Sequence, residues 1–401
     1  MVAVTAGPAP PTGSGPTAVP AGPLPAAPAT TLGVEEEFFL LRSGGAAATV
    51  APELLRALDG AVDLQAEFMQ FQVESTSQVR TDLHALAGDL TRGRRALAAA
   101  AGELGALLVA SGTPPFRVPG RVAVTPSPRY REMLDRWSRA GEDVSCATHV
   151  HVGVPSRDLG VAVVDRVRGW LPVLLALGAN SPFWRGRDTG WASYRHAVLR
   201  AWPTAVLPPR FRDAAAWDEG VAERIAEGAA LDRASVYWFA RLSPRYPTVE
   251  IRVADAALTT AEAVLIAGLC RALVVTALRE AVAGAPPPEL PDAALAASVV
   301  AAARRGLGGL LLDPWTRRWL PGRDALPGLL AHVAPALEEA GDAVLVRGLL
   351  EARLTARSGA ARQRALRRGT GPGGLVAALA AATLADGGVG YLPPTPRVPE
   401  G

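Results

Sequence analysis

The chain has 401 residues, 49% of them hydrophobic, enough for one large core or two ordinary ones. Its formal net charge of +3 is too weak to argue for nucleic acid, and all 41 basic residues are arginine. Without lysine there is no P-loop and no Schiff-base or kinase-type lysine chemistry, so phosphate would have to be handled by arginine, backbone amides and metal ions.

Residues 1–30 are rich in Pro, Ala, Gly and Thr, show no apolar period, and read as a disordered leader. They lack the charged and apolar regions of a signal peptide. Cys146 and Cys270 have no C-x-x-C spacing, which suits free thiols in a reducing cytoplasm. The next stretch, residues 31–41, reads T-L-G-V-E-E-E-F-F-L-L, and its flanks favour a strand. Strand alternation puts Glu35 and Glu37 on one face and Glu36 on the other, with Val34, Phe38 and Leu40. Two carboxylates aimed the same way repel unless a cation neutralises them. Glu36, on the reverse face, is expected to be nearly indifferent to amidation.

A short helix is expected at 51–58, then a strand at 67–76 (E-F-M-Q-F-Q-V-E-S-T) with Gln70, Gln72 and Glu74 on one face. Residues 81–110 carry leucines at helical spacing and predict one long helix, and 129–140 another. Residues 145–155 (S-C-A-T-H-V-H-V-G-V-P) alternate again, with His149 and His151 on one side and valines on the other. Residues 161–178 are helical, divided or kinked at Pro172. The long irregular stretch 180–211 mixes aromatics with Arg185, Arg187, Arg195 and Arg200, and a loop of that size in a compact domain is usually functional. A helix at 213–229 and a strand at 235–242 precede 246–255 (Y-P-T-V-E-I-R-V-A-D), where Glu250 and Arg252 share a face. They lie about 7 Å apart along the strand, too far for an obligatory contact. From 259 to about 384 the chain reads as helix. Its most apolar segment, 261–278, carries Glu262 and Arg271 and so reads as a buried amphipathic helix instead of a membrane span. Residues 386–401 form a Pro-rich tail, and no internal repeat is evident.

Four strands thus present E-x-E, Q-x-Q-x-E, H-x-H and E-x-R on one face and apolar groups on the reverse. An α+β fold explains all four: a curved antiparallel sheet with a polar site face, helices on the other face and a helical C-terminal region. The oxygen-rich set suits Mg²⁺ or Mn²⁺, with Zn²⁺ as the competing reading of H-x-H. His84, His196 and His332 read as structural. No G-x-S-x-G elbow or dinucleotide fingerprint is present, and Cys146 reads as a packed small residue.

The segments G-V-E-E-E-F, T-H-V-H-V-G-V-P (148–155), N-S-P-F-W-R-G-R-D-T-G-W-A-S-Y-R (180–195) and T-V-E-I-R-V-A-D (248–255) resemble the carboxylate–amine ligases of glutamate–cysteine ligase type 2. R-R-G-L-G-G-L-L-L-D-P (304–314) and A-R-Q-R-A (361–365) are similar too. The likeness runs in order from about residue 31 to 385 and implies a single catalytic domain there, with a glutamine synthetase-like sheet. It implies that Glu35, Glu37, Glu74 and Glu250 hold Mg²⁺ or Mn²⁺ together with one of His149 and His151. Arg252 would meet the γ-phosphate of ATP, with Glu250 and Arg195 beside it in catalysis. Arg185, Arg187 and Arg195 are candidate clamps for phosphate or substrate carboxylate. The implied reaction joins amino acids, by default glutamate and cysteine, through an acyl phosphate, with no nucleic-acid or membrane partner and a homo-oligomer left open. Other amino acid pairs, a guanidino-type phosphotransferase, a zinc hydrolase or an inactive binding homologue are the alternatives. The chain departs from the family at Gly112-Thr113-Pro114-Pro115, where relatives tend to have G-T-H-P. It departs again at 241–248 (R-L-S-P-R-Y-P-T) against a common R-P-H-P-x-x-G-T, and both changes bear on substrate specificity.

Overall fold

The computed structural model describes residues 30–116, 123–137 and 144–387. The leader and the Pro-rich tail expected from sequence lie almost wholly outside them. Strand β1 (Leu32–Leu41) is followed by helix α1 (Ala51–Ala57), strands β2 (Asp63–Ala66) and β3 (Gln72–Thr76), helix α2 (Leu83–Glu103) and a short β4 (Leu107–Val109). Next come α3 (Pro128–Arg136), β5 (Ala147–Gly153), α4 (Arg157–Val167) and α5 (Leu171–Gly178). A small hairpin, β6 (Phe183–Trp184) and β7 (Arg187–Asp188), leads to α6 (Arg195–Leu199), α7 (Ala214–Ala226), β8 (Ala240–Leu242) and β9 (Thr248–Asp255). The rest is helical: α8 (Thr260–Val282), α9 (Asp292–Arg305), α10 (Gly322–Glu339), α11 (Ala343–Thr355) and α12 (Gly359–Thr383). Only a hairpin, β10 (Leu310–Leu312) with β11 (Trp319–Pro321), interrupts it.

The main sheet has the order β2-β3-β1-β5-β9-β8 and every pairing in it is antiparallel. Phe39 pairs with Gln72 on one edge of β1 and with Val109 on the other, so β4 continues the edge that β5 begins. The expected helix over 81–110 is therefore cut short. Gly105, at φ +66, ends it in the left-handed region that favours glycine, and Leu107–Val109 turn into a strand. The expected strand at 67–76 starts only at Gln72, whose N–H closes a turn onto the Met69 carbonyl. Pro172 sits in the first turn of α5, where its missing N–H costs nothing, and separates α5 from α4 as expected.

The apolar face of the sheet carries Leu32, Val34, Val150, Val152, Val249 and Ile251, all buried against α2, α4, α5 and α8. Helix α8 is, among the described residues, the one helix long and apolar enough to cross a membrane, and it is buried in this core. On the opposite face the alternation of β1 continues from Glu35 and Glu37 to Phe39 and Leu41. Those two pack with Leu375, Val376 and Leu379 of α12, so the last helix closes one end of the polar face.

Glu36 requires a correction. It is 2% exposed and lies on the apolar face, where Arg94 of α2 forks onto it at 2.6 and 3.0 Å. The same guanidinium donates to the carbonyls of Ala257, Leu258 and Thr383. Alternation placed Glu36 correctly, but a carboxylate turned into the core is an anchor, and its amidation cannot be silent.

Candidate active site

Register places the polar residues side by side. Glu37 pairs with Glu74 across β1 and β3, Glu35 with His149 across β1 and β5, His151 with Glu250 across β5 and β9, and Glu250 with Arg241 across β9 and β8. Directly paired residues share a face, so this row is a property of the sheet. A bulge falls where Thr148 pairs with Ala254 and Val150 with Ile251, leaving Arg252 and Val253 opposite His149 alone. A bulge re-aims side chains. The Arg252 guanidinium meets the Glu250 carboxylate in a direct ion pair, contrary to the separation expected from a regular strand.

Each histidine has a distinct place. His149 Nδ1 lies 3.3 Å from Glu35 and its Nε2 3.6 Å from Glu37. His151 Nδ1 lies 2.9 Å from Thr248 Oγ1, and its Nε2 is 3.1 Å from Glu35. His149, and not His151, completes both groups whose ligand atoms lie within 4.8 Å of one another, Glu35–His149–Glu250 and Glu37–Glu74–His149. Burial, reinforced by the Arg252 charge, lowers His149 to about 3, which keeps its ring neutral, and its Nε2 has no hydrogen-bond partner. Burial and the Glu67 charge push Glu37 up to about 8. Burial and neighbouring carboxylates also raise Glu74. Glu250 moves the other way: despite burial, Arg241 and Arg252 hold it well below the carboxylate range. A neutral imidazole with a free nitrogen, among carboxyls that repel one another, fits a hard divalent cation. The donors are mostly oxygen, which favours Mg²⁺ or Mn²⁺ over Zn²⁺.

These groups line a cavity of about 660 Å³ together with Glu67, Arg129, Tyr130, Arg195, Arg241, Arg245 and Arg252. Arg195 is buried. Its Nη atoms face the carbonyls of Arg252, Val253 and Ala254 at 3.3 to 3.5 Å, and its Nε has no partner. A second cavity, about 590 Å³ and largely apolar, is lined by Leu32, Val34, Val79, Val154, Pro247 and Leu278 among others. Glu35, His151 and Tyr246 belong to both walls. Arg185 and Arg187 are elsewhere. They are exposed on the β6–β7 hairpin, outside both linings, with Arg185 at φ +50 in its tight turn.

Sequence reasoning missed Glu67, Arg241 and Arg129. The turn at 69–71 interrupts the expected strand and brings the Glu67 carboxyl against Glu74. Arg241 forks onto Glu250 at 2.8 and 3.3 Å. Its signal was an arginine inside an apolar strand. Arg129 reaches the cavity from α3, and nothing in its local pattern marks it. Cys146 is inert as expected: burial raises its thiol well above the ordinary value, and its sulfur accepts from Gln72 Nε2 at 3.3 Å.

A model of glutamate–cysteine ligase family 2 matches residues 31–382. A protein of Nocardia farcinica provisionally named as glutamate–cysteine ligase 2-1 is 43% identical over 360 residues, spanning 89% of this chain and 94% of that protein. One of Saccharopolyspora erythraea, with the corresponding provisional name 2-2, is 42% identical over 361 residues, covering 88% and 92%. Among solved structures, a glutamate–cysteine ligase from Francisella tularensis in complex with AMP superposes with TM-score 0.63 at 13% identity, covering 88% of this chain and 87% of that one. A bifunctional glutathione synthetase from Pasteurella multocida gives 0.61 at 14%, covering 90% and 53%. At these identities the structures establish the shared α+β fold.

Proposed function

The chain belongs to glutamate–cysteine ligase family 2, and from that membership and the site geometry we propose an ATP-dependent carboxylate–amine ligase acting in the cytosol. The observation that carries the reading is the meeting of two chambers at the acidic row, with Glu35, His151 and Tyr246 shared between them. A nucleotide suits such a divided site, its base in the apolar chamber and its phosphates at the shared wall, while the acid and the amine enter from the larger cavity. Glutamate and cysteine, giving γ-glutamylcysteine, are the pair the family name indicates.

A carboxylate is a poor electrophile. Its oxygen attacks the γ-phosphorus, the bond to the β-phosphate oxygen breaks, and ADP leaves an acyl phosphate. The amine nitrogen then bonds the acyl carbon, inorganic phosphate departs, and the nitrogen sheds its proton. The difficulty is the approach of one anion to another. Glu35, Glu37, Glu74, Glu250 and His149 would hold Mg²⁺ or Mn²⁺, which when bound neutralises phosphate charge. Arg252, on the cavity wall over the Tyr237 ring at 6.0 Å, is the candidate fork for the transferring phosphate. Arg195 brings a second buried positive charge to the same wall and is the candidate partner for the substrate carboxylate. The position of Arg185 and Arg187 gives them no such role in this reading.

The test uses purified protein, Mg-ATP, glutamate and hydroxylamine, which intercepts an activated acid as a hydroxamate. ADP, phosphate and hydroxamate should appear together. Nucleotide-independent amide cleavage that a zinc chelator abolishes would instead establish a hydrolase.

A further inference from the structure

One wall of the 660 Å³ cavity, bordering Glu67 and Arg252, is aromatic. Phe68 and Tyr130 form one edge-to-face pair at 5.1 Å, and Trp202 and Tyr237 form another at 5.3 Å. Met133 and Leu199 complete this wall. The four rings are only partly buried, so apolar surface that could have been packed is left lining the chamber. The arginines there are largely committed. Arg129 is clamped on Asp232 at 2.6 and 3.1 Å, Arg241 and Arg252 are paired with Glu250, and Arg195 faces backbone carbonyls. Of the lining arginines, only Arg245, half-engaged with Gln65 at 3.3 Å, is left near the wall for a second carboxylate.

We propose that the amine acceptor is larger than cysteine and carries an aromatic or bulky apolar body that seats between the Phe68–Tyr130 and Trp202–Tyr237 pairs. The inference rests on the ligase reading and alters only the identity of the amine. A thiol on one methylene cannot cover two pairs of rings, whereas a phenyl or indole group meets them edge and face. An amine also arrives as an ammonium, and aromatic faces beside carboxylates attract that charge before it loses the proton needed for attack. The bond changes are those of the second step above: C–N forms, the acyl C–O bond to phosphate breaks, and phosphate leaves with the electron pair.

The experiment has two parts. Hydroxylamine with Mg-ATP and each amino acid in turn identifies the acid that is activated, whatever the natural amine. With that acid, kcat/KM is then measured for phenylalanine and phenethylamine against cysteine and cysteamine. The aromatic pair should exceed the sulfur pair about tenfold or more, the scale at which a hydrophobic pocket discriminates between side chains. Trp202→Ala should erase most of that ratio by raising KM for the aromatic amines, and Trp202→Phe should retain it. Because Trp202 also packs on Trp137 at 5.5 Å, the wild-type ratio decides the question even if the alanine variant fails to fold. Hydroxamate formation with cysteine preferred, or a ratio that Trp202→Ala leaves unchanged in folded protein, overturns the proposal and spares the ligase reading. No hydroxamate with any acid overturns both.

Discussion

Changing Glu36 to glutamine removes the partner from a guanidinium that is 1% exposed and can neither deprotonate nor reach water. The expected loss is about 3 to 5 kcal/mol of stability, read as a lowered urea midpoint. Activity per folded molecule should be kept. Glu37→Gln, one residue on, should do the reverse: it removes a carboxylate that burial and Glu67 already hold up at about 8, so the midpoint should hold while turnover is lost. If both variants lose only stability, the acidic row is structural. Arg252 can be separated from its ion pair by the same comparison. Glu250 keeps its fork from Arg241 when Arg252 becomes alanine, so no buried charge is orphaned. Arg252→Ala should therefore melt near wild type with kcat down about 100-fold or more, and Arg252→Lys should recover part of the rate. His332 offers a pH test away from the site. It lies between Trp170 and Trp315, with Glu280 3.9 Å from Nδ1, and burial lowers it to about 4 from 6.5. The neutral ring costs nothing above pH 6.5. Between 6.5 and 4 the unfolded chain takes the proton first, so stability falls by roughly 2 to 3 kcal/mol across that window. Glu280, raised by burial, contributes with the opposite sign. The informative quantity is wild type minus His332→Phe, and a difference flat from pH 7 to 4.5 would rule this out.

At the scale of elements, the strands that carry the site were legible because each alternates ligand-type and apolar residues, and period 2 has no other good explanation. β5 and β9 appear within two residues of their expected bounds. What escaped was set by partners far along the chain. Leu104, Leu107 and Leu108 suit a helix as well as a strand, and only pairing with Phe39–Leu41 decides for β4. The bulge at His149 is invisible to alternation, yet it governs where Arg252 goes. Asp255, at the end of β9, is a third example of a non-local device. It accepts from the Asn180 N–H at 2.7 Å, Ser181 Oγ at 2.7 Å and Ser193 Oγ at 2.8 Å, and Ser181 Oγ in turn receives the Arg195 N–H at 3.0 Å. Strand β9, the 180–195 segment and α6 are thus pinned at one carboxylate. Asp255→Ala strands three buried donors and should cost about 3 kcal/mol or more, with activity falling further than the folded fraction because Arg195 loses its mooring. Activity that tracks the folded fraction alone would reduce Asp255 to a scaffold residue.

Across the whole molecule, a chain without lysine carries only cations that cannot shed their charge, and several are buried. Most of these meet a carboxylate on another element, Arg94 with Glu36, Arg271 with Asp342, Arg353 with Glu262 and Arg241 with Glu250, while Arg195 faces backbone carbonyls. The carboxylates of the site break this pattern. Glu35, Glu37, Glu67 and Glu74 line one cavity, and the arginines nearest them are engaged with Glu250 or with backbone carbonyls. A divalent cation is the natural complement of that imbalance. A ligand that binds the folded state and not the unfolded one adds RT ln(1 + [L]/Kd), about 2.7 kcal/mol at a hundredfold excess over Kd. Millimolar Mg²⁺ or Mn²⁺ should therefore raise the melting temperature by several degrees without nucleotide, and EDTA should reverse the rise. NaCl at matched ionic strength should not reproduce it, because screening acts on exposed charges and leaves buried ones largely untouched. In the double variant Glu37→Gln, Glu74→Gln the shift should vanish while the metal-free melting temperature stays the same or rises, since two repelling carboxyls have become neutral amides. Equal shifts from NaCl and MgCl₂, or a Mg²⁺ shift that survives in the double variant, would place the cation elsewhere and leave the acidic row without its counter-charge.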